Sequence, residues 1–191
     1  MKYTIDKIID RSTQHEFVFF WGHRPSKNGQ ISKSCFSQWW SVEFTIDGII
    51  YHSAEQYMMA MKAKLFEDKD ILEKILMCKT PIEAKKLGRK VKGFDLKQWA
   101  QQSYDIVKKG KYYKFKQNKP LLDFLLKTSP KVIVEASPVD PIWGIGLAED
   151  HKDVHNPTLW KGKNLLGFAL MEVRDELMMP TKSDEVRQCF K

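Results

Sequence analysis

The apolar positions of this chain change their spacing along its length, and each change marks an element. Phe17–Trp21 (FVFFW) is a continuous apolar run and predicts a short buried strand. Residues 22–34 are rich in Gly, Ser and Lys and predict a loop. Val42–Ile46 and Ile49–His52 flank Asp47-Gly48, a favoured two-residue turn, and predict a hairpin. Ser53-Ala54-Glu55-Gln56 has the pattern of a capping box, with Gln56 placed to reach back to the Ser53 backbone. It opens a helix to about Phe66. Thr80-Pro81-Ile82-Glu83 opens a second helix that stops near Gly88, and Asp95-Leu96-Lys97-Gln98 a third, long one toward Phe115. Pro120–Lys127 reads as a short apolar helix, Lys131–Glu135 as a strand, and Leu165–Leu177 as a final amphipathic helix. Between them, 137–164 is loop-like and dense in Pro, Gly, Trp and His. Residues 1–16 form a polar lead-in, and a flexible tail is expected over 178–191. The sum is one α+β domain over 17–177, mostly helical, with a small antiparallel sheet.

Composition narrows the class. With 191 residues, 42% hydrophobic and 29% charged, the chain suits one folded domain and not a chain disordered throughout. Cys35, Cys78 and Cys189 are far apart and form no CxxC pair, so neither a disulfide framework nor a cysteine zinc site is expected. A reducing cytoplasm is the expected location. No apolar stretch reaches the length of a membrane span, and the first residues lack the apolar run of a signal peptide. The formal charge of +8 is unevenly spread: residues 61–131 hold 19 of the 32 basic side chains but 8 of the 24 acidic ones. Such a segment suits an anionic partner, or else a solvated lysine-rich surface.

Four places carry candidate chemistry. On the helix after Ser53, Glu55 and Lys62 are seven residues apart, so they share one face to within about 20°, with Met59 between them. A Glu and a Lys on a Met-rich stripe need either a partner or a solvent-filled cleft; the bland alternative is a wet helix edge with Lys62 snorkelling. A hidden Lys62 would lose basicity and become a nucleophilic amine. Residues 135–147 (EASPVDPIWGIGL) put Asp140, Trp143, Gly144 and Gly146 in a tight turn, where glycine lets backbone N–H groups approach a ligand oxygen; Asp before Pro is also a common turn former. Trp160-Lys161-Gly162-Lys163-Asn164 precedes the last helix, and Asn164 is placed to cap it. Gly88-Arg89-Lys90-Val91-Lys92 is a basic turn, followed by Trp99 as core residue or stacking platform. His151 and His155 are four apart but lie in loop sequence without a zincin glutamate, and Cys35 has no nearby His. No metal and no cofactor are expected.

Taken together, these segments resemble the NADAR (YbiA-like) family. The likeness is an ordered series: Phe19-Phe20-Trp21 with Arg24-Pro25, Ser53-Ala54-Glu55-Gln56-Tyr57 with Lys62-Ala63, and Ala84-Lys85-Lys86-Leu87-Gly88-Arg89 with Trp99. Lys114-Phe115-Lys116-Gln117-Asn118, Val134-Glu135-Ala136-Ser137-Pro138 with Asp140 and Ile142-Trp143-Gly144, Trp160 to Gly167 and Leu170 to Arg174 complete it. Cys35-Phe36-Ser37-Gln38-Trp39-Trp40 departs from the Phe-Ser-Asn-Phe pattern of many members, and Gln56 stands where others carry His.

The resemblance implies an N-glycosidase that splits ribose C1 from an exocyclic amine. The substrates it implies are the phosphorylated ribosylamino-pyrimidines of riboflavin synthesis and ADP-ribosylated guanine, free or within nucleic acid. It places Glu55, Lys62 and Asp140 in the chemistry and Trp99 at the substrate. Arg24, Arg89, Trp143, Gly144 and Asn164 join Trp99 as candidate binding residues. The lysines of 108–119 stay outside that account, as a soluble surface. A different class remains open beside the enzyme: a non-catalytic module in which the basic segment and six Trp bind nucleic acid or nucleotide.

Overall fold

The computed structural model describes residues 1–10, 15–26 and 28–179. In chain order the elements are α1 (Ile5–Ile9), β1 (Phe17–Phe20), β2 (Ser41–Ile46), β3 (Ile49–Ser53), α2 (Ala54–Leu65), α3 (Lys69–Met77), α4 (Pro81–Gly88), α5 (Leu96–Lys116), α6 (Lys119–Leu126), β4 (Val132–Glu135) and α7 (Leu165–Met178). Short 3-10 turns occupy Lys33–Phe36 and Pro157–Leu159. This is the expected mostly helical α+β domain with a small antiparallel sheet, the β2–β3 hairpin. It also holds a second pair, because β1 and β4 run parallel in the register Phe17↔Val132 to Phe20↔Glu135.

Local chemistry explains most element boundaries. The hairpin turns at Asp47 and Gly48 with φ of 51° and 79°, the positive pair that a tight two-residue turn requires. Thr80 and Glu83 form a full capping box, and Asp95 Oδ1 accepts the Gln98 N–H at 2.6 Å to start α5. At α2 only half of the expected box exists. Ser53 Oγ accepts the Gln56 N–H at 3.1 Å, but the Gln56 side chain does not turn back to Ser53. Its Oε1 accepts the His52 N–H at 2.7 Å, and its Nε2 donates to the carbonyls of Ile75 and Cys78, both at 2.9 Å. Gln56 therefore staples the start of α2 to the end of α3.

Two elements differ from expectation. Residues 69–77 form α3, opened by Asp68, whose Oδ1 accepts the Ile71 N–H at 3.2 Å. The lead-in contains α1, with Ile8 buried, and Tyr3 Oη donates to Asp175 on α7 at 2.7 Å. The tail expected from 178 lies outside the described residues from 180 onward.

α2 runs through the middle, against α3, α4, α5 and β3. Ala54 to Ala60 and Ala63 are all buried, so this helix has no wet face along its first two turns. β4 is buried between β1 and α7, and α5 packs on α7. Phe20, Phe36, Phe115 and Phe168 are fully buried around these elements, each worth roughly 1.5–3 kcal/mol relative to exposure.

The most informative correction concerns the lysines of α5. Lys111 and Lys114 are not surface: both are wholly buried. Lys111 Nζ donates to the Phe36 carbonyl at 2.7 Å, and Lys114 Nζ to the carbonyls of Cys35 and Ser37 at 2.7 and 2.9 Å. They hold the 35–37 turn against α5. Burial lowers both amines, Lys114 to about 7 and Lys111 well below its ordinary value, where the neighbouring Lys114 adds to the effect.

Candidate active site

A cleft of about 270 Å³ opens where four segments meet: the 37–39 turn, the inner face of α2, the end of α4, and the stretch from Glu135 to Trp143. Glu55 enters it from the first turn of α2, with its backbone N–H bonded to the Gln38 carbonyl at 2.9 Å. Lys62 enters from the same helix about 10 Å further along the axis. Its Nζ donates to the Gly88 carbonyl at 2.9 Å and lies 4.0 Å from the Phe94 ring centroid and 5.9 Å from that of Trp99. Partial burial lowers its basicity.

Acid groups approach from β4 and the loop beyond it. Glu135 is the last residue of β4, and Asp140 lies in the following turn. Asp140 Oδ1 accepts the N–H groups of Ile142 and Trp143, both at 2.9 Å, which fixes the carboxylate and shapes the turn. Glu55 is only 5% exposed, and burial raises its carboxyl above the ordinary range against the pull of Lys85 and Lys111. Glu135 is pushed up to about 7, first by burial and then by the charge of Asp140, with Lys111 opposing. The two wall materials therefore complement each other: an amine of lowered basicity and carboxyl groups that hold protons unusually well. That pairing suits nucleophilic and acid–base work on one substrate.

The structure brings five of the sequence-derived candidates to this cleft: Glu55, Lys62, Asp140, Arg89 and Trp143. Trp99 reaches Lys62 without lining the cleft. Gly144 is buried beneath it. A Cβ there would come within 2.8 Å of the Glu135 carbonyl and 2.9 Å of the Ser137 Cβ, so glycine serves close chain packing at this point. Asn164 precedes α7 in a left-handed conformation and makes no side-chain cap. Its Oδ1 accepts the Glu135 N–H at 3.0 Å, its Nδ2 donates to the Ile133 carbonyl at 2.9 Å, and it is wholly buried. Both polar atoms are thus engaged by β4, which makes Asn164 a clamp on the strand that carries Glu135. Arg24 is exposed and lies outside the cleft lining.

Glu135, Lys85 and Trp39 line the cleft and were not singled out by sequence. Lys85 Nζ lies 5.2 Å from the Trp39 ring centroid, a cation held over an aromatic face. Glu135 heads the 135–147 segment, yet nothing local distinguishes it from a strand-end glutamate. His155 packs its ring against Phe19 at 5.0 Å, and the His151 ring accepts the Asp153 N–H at 3.2 Å. No cluster of three or more metal-ligating side chains occurs among the described residues. No helix among them is long and apolar enough to cross a membrane.

Comparison with known proteins fits this geometry into a family. The NADAR domain matches residues 19–178, from β1 to the end of α7. The chain belongs to the NADAR family. Among similar NADAR-type proteins is the N-glycosidase R617 of Acanthamoeba polyphaga mimivirus, 45% identical over 166 residues, which cover 84% of this chain and 96% of that protein. The N-glycosidase YbiA of Escherichia coli is 32% identical over 142 residues, 74% of this chain and 80% of YbiA. The solved NMR structure of YbiA superposes with a TM-score of 0.67 at 28% identity, covering 88% of this chain and 89% of that one. A riboflavin biosynthesis protein of Vibrio vulnificus is 32% identical over 133 residues, which are 70% of this chain and 32% of that protein. Like these N-glycosidases, the NADAR chain described here is a hydrolase acting on N-glycosyl compounds.

Proposed function

We propose that the chain hydrolyses the bond between ribose C1 and an exocyclic amine, on phosphorylated ribosylamino-pyrimidines and on ADP-ribosylated guanine. The observation that carries this reading is the meeting of Lys62 with three carboxyl groups in one cleft, beside the cations Lys85 and Arg89. A sugar on an exocyclic amine opens to an imine more readily than one on an aromatic ring nitrogen, so an amine nucleophile has something to attack. The riboflavin association of the Vibrio relative supports the pyrimidine substrate. The guanine substrate shares its chemistry: C1, an exocyclic nitrogen, and phosphate for Lys85 and Arg89 to pair.

The reaction then runs as follows. A proton is delivered to the ring oxygen, the C1–O bond opens, and C1 becomes an imine carbon on the substrate nitrogen. Neutral Lys62 Nζ adds to C1. A proton leaves Nζ, another reaches the departing nitrogen, and the C1–N bond to the base breaks. An imine between Lys62 and C1 remains. Water adds to C1, the C1–Nζ bond breaks, and the sugar closes again. Glu55 serves as acid and base, Asp140 holds sugar hydroxyls, Trp143 walls the base, and Trp99 stands beside Lys62.

The test offers purified protein guanine-ADP-ribosylated DNA in one arm and a ribosylamino-pyrimidine phosphate in the other, and measures release of ADP-ribose or ribose 5-phosphate. Activity on neither overturns the proposal. Borohydride added during turnover should trap sugar on Lys62. If no adduct forms and Lys62→Ala keeps most activity, direct attack of water replaces the imine route.

A further inference from the structure

Glu135 combines a rigid backbone with an idle head group. Its N–H is accepted by Asn164 Oδ1 at 3.0 Å, and its carbonyl accepts the Ile145 N–H at 3.0 Å. It pairs in register with Phe20 across the parallel strands. Gly144 packs so closely beneath it that a Cβ would lie 2.8 Å from its carbonyl oxygen. Three elements therefore hold this residue in place. Yet its side chain lines the cleft, and Oε2 is buried with no hydrogen-bond partner among the described residues. Buried polar atoms left open in this way are rare in folded proteins and ask for an explanation.

The neighbours of Glu135 supply one. Asp140 from the following turn and Glu55 from α2 disfavour its charge, while Lys111 from α5 and Lys85 from α4 favour it. Lys111 already donates to the Phe36 carbonyl, and Asp140 is anchored by two backbone N–H groups. Of the three cleft carboxyls, Glu135 is the one with a buried oxygen that has no hydrogen-bond partner among the described residues.

We propose that Glu135 is a further catalytic residue of this cleft, the acid that protonates the departing exocyclic amine. The inference rests on the function proposed above and deepens it. Expelling an amine from C1 requires a proton on nitrogen, and the reaction needs a second proton transfer at the sugar ring oxygen. Glu55 serves the ring oxygen and Glu135 the leaving nitrogen. The Glu135 O–H bond breaks as the C1–N bond breaks; the proton and the bonding electrons both go to the amine. The resulting carboxylate takes a proton from the water that adds to C1, which restores the acid. A carboxyl held near pH 7 is matched to that double task.

The test is Glu135→Gln, assayed beside the wild-type protein on whichever substrate arm the wild type turns over. The expected result is a loss of about 10²- to 10⁴-fold in kcat with KM within about threefold. Wild-type turnover should fall above about pH 7 as the acid loses its proton, and the variant should lack that limb. Added formate should restore part of the activity of Glu135→Ala, a readout that a merely structural role does not move. Wild-type kcat and an unchanged pH profile in Glu135→Gln overturn this role alone, while Lys62→Ala remains inactive. Turnover of neither substrate by the wild type removes the underlying reading, and this inference with it.

Discussion

Glu135 and Glu172 are two glutamates largely removed from solvent, and their surroundings are opposite. Glu172 lies in the middle of α7 and is 7% exposed. Its Oε1 accepts the Lys2 backbone N–H at 2.6 Å and the Tyr104 hydroxyl at 2.9 Å, and its Oε2 accepts from Lys108 Nζ at 3.4 Å. Those donors hold its carboxyl below the ordinary value despite the opposing effect of burial. Glu135 has an oxygen without a donor among the described residues and is pushed up to about 7. Burial alone therefore says little about a glutamate's task. The donors around it separate a fastener from a proton carrier. Both residues lie in segments that carry the family resemblance, so the pattern of residues does not distinguish them either.

The largest expected effect on that contrast comes from Glu55. Glu55→Gln should lower kcat/KM by about 10²- to 10⁴-fold, with the thermal unfolding midpoint held or raised. Loss of folding in that variant would put Glu55 with Glu172. Next, Glu172→Ala removes the acceptor of three donors and should cost about 2–4 kcal/mol in urea unfolding, with kcat within about twofold of wild type. The pH dependences of the two residues should also oppose each other. The lowered Glu172 contributes stability present above its unfolded value, near 4.5, and lost as pH falls through the lower folded value. The raised Glu135 favours the folded state below pH 4.5, and that contribution is lost as pH rises through about 7. Glu135→Gln should therefore raise stability at pH 8 relative to pH 5 by about 1–3 kcal/mol, measured by urea unfolding at both pH values.

Smaller effects sharpen the picture at its edges. Lys114→Met leaves the Cys35 and Ser37 carbonyls without their donor and should cost about 1–2 kcal/mol. Because Ser37 lines the cleft, KM should rise in the same variant. Arg24→Ala, exposed and outside the lining, should change kcat and KM by less than about threefold. A larger change would bring the 22–34 loop into substrate binding.

The parts of the fold legible in advance were those with short-range causes. Thr80-Pro81 and Asp95 announced α4 and α5, and Asp47-Gly48 announced the hairpin. α3 went unread even though Asp68 caps it, because its nine residues are bracketed by no proline or glycine signal. Gln56 shows the limit of a local motif. Its spacing fits a capping box, but its Oε1 accepts the His52 N–H rather than that of Ser53, while its Nε2 donates to carbonyls at the end of α3. Within the site, Glu55 and Lys62 were legible because seven residues of helix put them on one face. Asp140 and Trp143 stood out in a glycine-bearing tight turn and Arg89 in a basic turn, and the family resemblance added their roles. Glu135 and Lys85 stayed hidden, since each reads as an ordinary charged residue on its own element.

The sequence by itself determined the caps, the hairpin turn, the mostly helical class and the family, because each rests on residues a few positions apart or on an ordered series of motifs. Tertiary structure alone decided that β4 pairs with β1, 115 residues away, and so carries Glu135 to the cleft. It also decided that Lys111 and Lys114 leave the basic surface to hold the 35–37 turn from within. The physical reason is common to both cases. Whether a charged group meets water, a partner or nothing at all depends on chain segments remote in sequence, and that surrounding sets its protonation.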